Sequence, residues 1–281
     1  MKNSNLLLSR FFSTGPAIVI AFDHGMFDGP IRGLDRVEEL PSHIYPGVDG
    51  LLMSPGMLRD IGPRLFGHRH SPIAIVRINW STIYCFAWNY HSGDTVKAFT
   101  PQEALQAGAQ MVLISLSLQT GSQPQDARNV EIFRELCGQA HELGLPVLGE
   151  YFPVHEENLN EEQMYQEIKI GTRILYELGA DVIKTFYTKN FQDIVSGCPA
   201  PILALGGKRL ASDLEALKYA RQQISSGAAG IVFGRNVIQS PQPIELQKAL
   251  IAVLKEGLTP DEAAKKFGLQ KEHQNAYALH Q

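Results

Sequence analysis

The chain has 281 residues, of which 44% are hydrophobic and 19% are charged, and its formal net charge is −4. These values exclude a disordered chain, and they give no overall attraction to nucleic acid or to an anionic membrane, so we expect neither as a partner. The longest apolar runs are strand-sized, well short of the roughly 20 residues that a membrane span needs. The first twelve residues lack the pattern of a signal peptide, so we expect a cytoplasmic protein. The three cysteines have neither the number nor the spacing of a disulfide framework or a zinc site.

Eight short apolar runs, separated by polar segments, predict eight strands. The runs are too short for helices, are rich in β-branched residues and do not alternate with polar residues. This pattern is typical of strands that are buried on both faces of a parallel sheet. Numbered one to eight in chain order, the predicted strands are 17–22, 50–53, 73–78, 111–116, 147–150, 182–185, 202–205 and 230–233.

Helices are predicted between these strands and after the last one. They include the segments 130–143, 161–178, 212–225 and 244–255. Asn160 followed by Gln163, and Thr259 followed by Glu262, are typical of capped helix starts, so a helical C-terminal extension is predicted from about residue 259. The final residues, 268–281, are expected to be disordered. Left-handed glycines that close a helix directly before a strand are predicted at Gly108, Gly144, Gly179 and Gly227.

Eight strands that alternate with helices over about 240 residues predict a single (β/α)8 TIM-barrel domain covering residues 1–281. The alternative is a doubly wound open sheet, which normally carries a G-x-G-x-x-G turn after its first strand. The segment 23–29, which follows strand one, lacks that spacing, so the barrel is favoured. The connection 80–99 after strand three is long and aromatic, which is typical of a lid or wall of an active site.

Lys184 is the residue on which a catalytic interpretation depends, because barrel enzymes place their chemistry at the carboxyl ends of the strands. It ends strand six, where an unpaired ammonium is costly to bury, so it must find a carboxylate or have a lowered pKa. With a lowered pKa, its free amine attacks a ketone or aldehyde to give an imine. Asp23 ends strand one and projects into the same mouth, where a carboxylate can move protons. The alternatives are a Lys184 that reaches solvent or pairs with Asp23, and an Asp23 that caps a helix or lies in a loop.

The ends of strands seven and eight predict an anion site. Glycines there allow backbone N–H groups to approach a phosphate, and cations follow them in the sequence, as barrels that bind phosphate commonly arrange. The residues concerned are Gly206, Gly207, Gly234 and Arg235. The alternative is that these glycines serve packing only.

Four segments, taken in strand order, resemble the class I aldolases of the DeoC/FbaB group, which includes the archaeal-type fructose-bisphosphate aldolases and the phospho-autoinducer-2 thiolase. The segments are 21–25, 179–185, 205–208 and 234–240, and the resemblance covers residues 15–255. It implies a lyase that acts through a Schiff base at Lys184 on a small phosphorylated sugar or ketone, with Asp23 as its acid–base neighbour. It also implies that Gly207, Gly234 and Arg235 contact the phosphate, that no metal or other cofactor is used, and that barrels form a homo-oligomer, often a decamer.

One position departs from the family pattern. The archaeal-type fructose-bisphosphate aldolases carry a catalytic Tyr directly before a Pro after strand five, whereas here Phe152 precedes Pro153. Because Phe152 cannot move a proton, Glu150 and Tyr151 become the acid–base candidates, although one position along a strand reverses the direction of a side chain. The departure leaves two alternatives open. They are a coenzyme A-dependent thiolase or acyltransferase acting on a phosphorylated diketone, and a non-catalytic sugar-phosphate-binding barrel.

Overall fold

Eight parallel strands close into a barrel in the computed structural model, which describes residues 6–90 and 92–269. Each barrel strand pairs with its neighbours in chain order, and strand eight pairs with strand one, so the predicted (β/α)8 fold is confirmed. The barrel strands are Ala17–Ala21, Gly50–Met53, Ile73–Arg77, Met111–Leu116, Val147–Tyr151, Val182–Thr185, Ile202–Leu205 and Gly230–Phe233. Five have the predicted bounds, and the other three differ by one residue at the carboxyl end. Disorder was expected for 268–281. The structure describes the first two of these residues, and Leu269 is buried, contrary to that expectation; residues 270–281 lie outside the described residues.

Helices surround the barrel, and several of them begin at a side-chain cap. The α-helices are Leu6–Phe11, Gly25–Asp28, Pro55–Phe66, Pro101–Ala107, Gln123–Glu142, Glu161–Glu177, Phe191–Gly197, Asp213–Ser225, Arg235–Ile238, Pro243–Leu254 and Pro260–Lys266, and 3-10 turns span Val37–His43, Thr82–Tyr84, Phe86–Trp88 and Glu156–Asn158. Asn160 and Thr259 each form the predicted capping box. The four helix-closing glycines have φ between 72° and 107°, as predicted. The helix predicted from residue 130 begins earlier because Ser122 caps it. No helix in the described ranges is long and apolar enough to cross a membrane.

The strands divide their side chains between two apolar cores. Residues that point outward pack against the helices, and those that point inward, such as Leu113, Leu148 and Val182, fill the amino-terminal half of the barrel. Phe11 belongs to the inner core and is 1% exposed, so the first helix covers that end of the barrel. The opposite, carboxyl end of the barrel is not covered in this way, and a cavity lies there.

The same alternation brings charged residues into the barrel. Ile75, Leu148 and Val182 point inward, and because side chains on one face of a strand recur every second residue, the next inward positions are Arg77, Glu150 and Lys184. Glu150 and Lys184 are paired in register on neighbouring strands. The carboxyl half of the barrel interior is therefore polar, directly above an apolar half.

The connection after strand three forms one wall of the barrel mouth. Its ends, Asn79–Ser81 and Thr95–Lys97, make a two-stranded antiparallel ribbon, and Tyr84 between them is buried. Trp80 does not enter the cavity, because its indole N–H donates to the Met26 carbonyl (3.1 Å). This aromatic segment lines the cavity at the barrel mouth through Tyr84 and Phe86, as a wall of the predicted site would.

Candidate active site

A cavity of about 350 Å³ opens at the carboxyl end of the barrel. Most of its lining falls into three parts, which we call the ion network, the glycine end and the aromatic wall; the rest is formed by Ala21, Asp28, Glu156, Leu205 and Val232. The ion network is formed by Asp23, Arg77, Tyr84, Glu150 and Lys184; the glycine end by His24, Gly206, Gly207, Lys208, Gly234 and Arg235; and the aromatic wall by the rings of Phe27, Tyr84, Phe86, Phe152 and Phe186.

The ion network is a buried chain of alternating charges. Lys184 Nζ lies 2.5 Å from Glu150 Oε1, and the other oxygen of Glu150 accepts from Arg77 Nη2. Arg77 Nε donates to Asp23 Oδ2 at 2.5 Å. All four side chains are buried. The network holds two positive and two negative charges, so it is balanced while Lys184 carries a proton. The partner of Lys184 is therefore Glu150, and the alternative pairing of Lys184 with Asp23 is wrong because Asp23 pairs with Arg77 instead.

Both carboxylates of the network are ionised near neutral pH. Burial alone would raise the pKa of Asp23, but the positive charges of Arg77 and Lys184 outweigh it and lower the pKa to about 2. Burial likewise opposes ionisation of Glu150, and the same two cations lower its pKa below the usual value. Glu150 is therefore a proton acceptor in direct contact with the ammonium of Lys184.

Tyr84 places a hydroxyl beside this carboxylate. Its O–H donates to Glu150 Oε2 at 2.9 Å, and its ring lies 4.6 Å from the Arg77 guanidinium. Burial and the negative charge of Glu150 raise the pKa of Tyr84 well above its ordinary value, so the hydroxyl keeps its proton at neutral pH. The cavity thus contains an ionised carboxylate and a protonated hydroxyl side by side, joined by a hydrogen bond. Sequence reasoning missed both Arg77 and Tyr84.

Tyr151 lies outside the cavity. Its hydroxyl donates to Glu167 Oε1 at 3.3 Å, on the helix Glu161–Glu177, and its ring packs directly over Gly171. The cause is strand alternation: Glu150 points inward, so the next residue faces the helix layer. Tyr151 is therefore no longer an acid–base candidate, and Glu150 is.

The glycine end brings together the four residues expected to bind phosphate. A Cβ at Gly234 would lie 2.5 Å from the His24 ring, and Gly207 has a φ of 65°, so both positions need glycine. Arg235 Nη2 donates to the Gly207 carbonyl at 3.2 Å. Asn236 fixes the turn of strand seven by donating to the Gly206 carbonyl at 2.9 Å. Two backbone turns and a guanidinium side by side can bind an anion.

His24 is uncharged at neutral pH and lies against this end of the cavity. Burial lowers its pKa to about 4, despite the opposing effect of Asp23. Its Nδ1 has no hydrogen-bond partner among the residues that the structure describes. His24 therefore contributes a neutral ring to the glycine end and no cation.

The aromatic wall includes the residue that departs from the family pattern. Phe152 makes edge contacts with Tyr84 and Phe186, both at 4.9 Å between ring centroids. Phe27 lies 4.8 Å from Tyr84, and Phe86 lies 6.4 Å from Phe152. Phe152 faces the cavity, and a hydroxyl that contacts Glu150 comes instead from Tyr84, on a different segment of the chain.

The described residues contain neither a metal-binding cluster nor a disulfide. In residues 6–90 and 92–269, no group of three or more His, Cys, Asp or Glu side chains is arranged to hold a metal ion. Cys85, Cys137 and Cys198 are buried and free, as the sequence predicts.

Comparison with known proteins gives consistent matches along the chain. The profile of the family described as DeoC/LacD family aldolase matches residues 17–240. An uncharacterised aldolase of Saccharolobus solfataricus is 30% identical over 94% of this chain and 99% of its own length. The 3-hydroxy-5-phosphonooxypentane-2,4-dione thiolase of Escherichia coli is 30% identical over 94% of this chain and 87% of its own length. An archaeal fructose-1,6-bisphosphate aldolase, whose structure has its catalytic Lys covalently bound to a carbinolamine, has the same fold, with a TM-score of 0.72, 24% identity, and coverage of 89% of this chain and 99% of that one.

Proposed function

Because this chain belongs to the DeoC/LacD family of aldolases, we propose that Lys184 forms a Schiff base with the carbonyl group of a small phosphorylated sugar or ketone. The enzyme is then a class I carbon–carbon lyase. The observation that carries the proposal is the position of Lys184, whose ammonium lines the cavity and lies 2.5 Å from Glu150. The covalently bound Lys of the archaeal aldolase supports it by analogy.

Imine formation uses the acid and base beside Lys184. Glu150 accepts a proton from the ammonium, and the free amine attacks the substrate carbonyl carbon. The carbonyl oxygen takes up a proton from Glu150 and becomes the hydroxyl of the carbinolamine. Tyr84 then donates a proton to that hydroxyl, which leaves as water. The lysine nitrogen gives up one of its protons, which restores the hydroxyl of Tyr84. The protonated imine carries the same positive charge as the ammonium that it replaces, so the ion network stays balanced.

Carbon–carbon cleavage follows from the electron demand of the protonated imine. The bond that breaks joins the carbon next to the imine to a carbon that carries a hydroxyl. This hydroxyl loses its proton and becomes the carbonyl of the aldehyde that leaves. The electron pair of the broken bond forms an enamine with the lysine nitrogen. We assign removal of this proton to the Tyr84–Glu150 pair, in which Tyr84 passes its own proton to Glu150. Asp23 also lines the cavity, and we propose that it assists proton transfer at the enamine carbon.

Tyr84 and Tyr151 give a matched pair of variants for the acid–base assignment. Tyr84→Phe is expected to lower kcat by about 100- to 10,000-fold, because that is the usual contribution of a positioned proton carrier. Tyr151→Phe is expected to leave kcat within about twofold and to lower the free energy of unfolding by about 1 kcal/mol. Steady-state kinetics and urea unfolding of both variants measure these effects. Equal losses of kcat in the two variants would contradict the assignment.

Arg235 is proposed to bind the substrate phosphate together with Gly206, Gly207 and Gly234. A hydrogen bond to a charged group contributes about 1.5–3 kcal/mol, so Arg235→Gln should raise KM about 10- to 100-fold with a much smaller change in kcat. Inorganic phosphate should also inhibit the variant less than the native enzyme. Arg173→Gln, a change at an exposed arginine paired with Glu177, is the control and should leave KM unchanged. An unchanged KM in Arg235→Gln would place the phosphate elsewhere.

The proposed chemistry can be tested without knowledge of the natural aldehyde. An enamine exchanges the proton of its carbon with solvent, so incubation in D2O should place deuterium next to the carbonyl of a suitable keto-phosphate. A panel that includes dihydroxyacetone phosphate and hydroxyacetone phosphate can be followed by proton NMR. Exchange that is lost on removal of the Lys184 amine supports the proposal, and no exchange with any member of the panel counts against it.

A second candidate is a thiolase or acyltransferase reaction on a phosphorylated diketone. Two observations favour it: Phe152 stands where the fructose-bisphosphate aldolases have a catalytic Tyr, and one relative is a 3-hydroxy-5-phosphonooxypentane-2,4-dione thiolase. In that case coenzyme A is a co-substrate, and cleavage of the diketone requires it. Cleavage of the diketone at the same rate with and without coenzyme A would exclude this candidate.

The non-catalytic alternative has less support than either reaction. A barrel that only binds sugar phosphate has no need of the buried Lys184–Glu150 pair, whereas an imine-forming enzyme does. From the resemblance alone we also infer a homo-oligomer of barrels, such as a decamer, whereas a cytoplasmic location stays a prediction from the sequence. Light scattering on the purified protein, together with cell fractionation, tests both.

A further inference from the structure

The two ends of the cavity differ in chemistry. We propose that the part of the substrate remote from its phosphate is apolar and uncharged and binds against the aromatic wall, so that the enzyme acts on a substrate with a single phosphate group. This inference rests on the proposed function, because it assigns the substrate class of the same site.

Barrel topology separates the two ends. The glycine end comes from strands seven and eight, with His24 of the adjacent strand one. Most of the aromatic wall follows strands three, five and six: Tyr84 and Phe86, then Phe152, then Phe186. Lys184 and Glu150 project from strands six and five, so the proposed imine lies beside the aromatic wall.

The distribution of charge shows why the wall does not suit a phosphate. Of the four Lys and Arg residues that line the cavity, within the ranges that the structure describes, Arg77 and Lys184 are already paired with carboxylates. The other two, Lys208 and Arg235, belong to the glycine end. A phosphate placed against the wall would lose its water without gaining an unpaired cation, and an unpaired buried charge is strongly unfavourable. An apolar fragment has no such cost.

Two rings of the wall keep surface that a ligand can contact: Phe86 is 52% exposed and Phe186 is only partly buried. The rings of Phe27, Tyr84 and Phe152 are largely buried against their neighbours. Packing of the wall segment therefore leaves ring surface facing the cavity. Apolar lining of this kind, with few polar groups, is usual where a protein binds an apolar part of a small molecule.

The test compares aldol synthesis from donor and acceptor pairs that differ in the number of phosphates. The singly phosphorylated pairs are dihydroxyacetone phosphate with propanal, and hydroxyacetone with glyceraldehyde 3-phosphate. The doubly phosphorylated pair is dihydroxyacetone phosphate with glyceraldehyde 3-phosphate. With the native enzyme, one of the single pairs should have a kcat/KM at least tenfold above that of the double pair. A faster double pair would overturn the inference.

A charge placed on the wall should change this preference. Phe86→Lys is suitable because the side chain is half exposed, so an ammonium there keeps contact with water. This variant should raise kcat/KM for the double pair at least tenfold, whereas Phe86→Leu, which keeps the wall apolar, should retain the native preference. An unchanged preference in Phe86→Lys contradicts the inference.

The outcomes also separate this inference from the proposed function. Deuterium exchange into either ketone donor, combined with a preference for the double pair, overturns the substrate class alone and leaves the lysine chemistry in place. No exchange and no synthesis with any pair overturns both.

Discussion

Lys184→Met should lower kcat/KM by at least about 10,000-fold, because the side chain keeps its length but has no amine to form an imine. The change also leaves two carboxylates facing a single cation, Arg77, so the variant should be less stable than the native protein. Glu150 keeps its contacts with Arg77 and Tyr84, so we expect the folded variant to retain the cavity. Aldol synthesis or cleavage by the variant, at a protein concentration high enough to detect residual activity, measures the effect.

The matched control for this variant is Lys189→Met. Lys189 lies five residues after Lys184, in the connection between strand six and the next helix. Lys189 is partly exposed and pairs with Glu162 on the surface at 2.9 Å. Its replacement should leave kcat/KM within about twofold, because surface ion pairs contribute little. If Lys184→Met kept more than a few per cent of native activity while folded, the amine would not be the nucleophile.

Arg77→Met should destabilise the protein by about 3–5 kcal/mol, which is the usual cost of removing one partner from a buried ion pair. Arg77 is 2% exposed and contacts both Asp23 and Glu150, so its loss leaves two carboxylates facing a single cation, Lys184. The free energy of unfolding in urea measures the effect. Activity should fall as well, since the position of Glu150 depends on the guanidinium.

Two further variants test whether uncompensated charge causes this loss. The double variant Arg77→Met with Glu150→Gln removes one of the two carboxylates, so it should recover part of the lost stability. Arg36→Met, at an exposed arginine that pairs with Glu39, should cost less than about 1 kcal/mol. If Arg77→Met were no more destabilising than Arg36→Met, the network would not be the balanced buried cluster described above.

The barrel could be predicted from the sequence because its determinants are local. Each strand is a short apolar run that is buried on both faces, and the glycines before strands four, five, six and eight close their helices through a conformation that favours glycine. Five predicted strands have the observed bounds for this reason. A helix start is harder to predict where the first turns lack an apolar pattern. The helix after strand four therefore begins at Gln123, seven residues before the predicted start.

The site was only partly predictable because its contacts join distant strands. Lys184 and Asp23 were identifiable from their places at strand ends, but their partners depend on closure of the barrel. Arg77 had a detectable signal, since it is two residues after the inward-facing Ile75, on an apolar strand where an arginine is unexpected. Tyr84 had none, because it comes from an irregular segment without periodicity. The prediction of Tyr151 as an acid–base residue is wrong because side chains alternate along a strand, a reversal that the sequence already indicated.

The most direct test of the proposed imine is reduction with sodium borohydride in the presence of keto-phosphates, followed by intact-mass measurement and peptide mapping. We predict an added mass equal to that of the substrate less one oxygen atom, located on the peptide that contains Lys184 and absent from Lys184→Met. A catalytically active protein that gives no adduct with the substrate it turns over, or an adduct on a different lysine, would contradict the account.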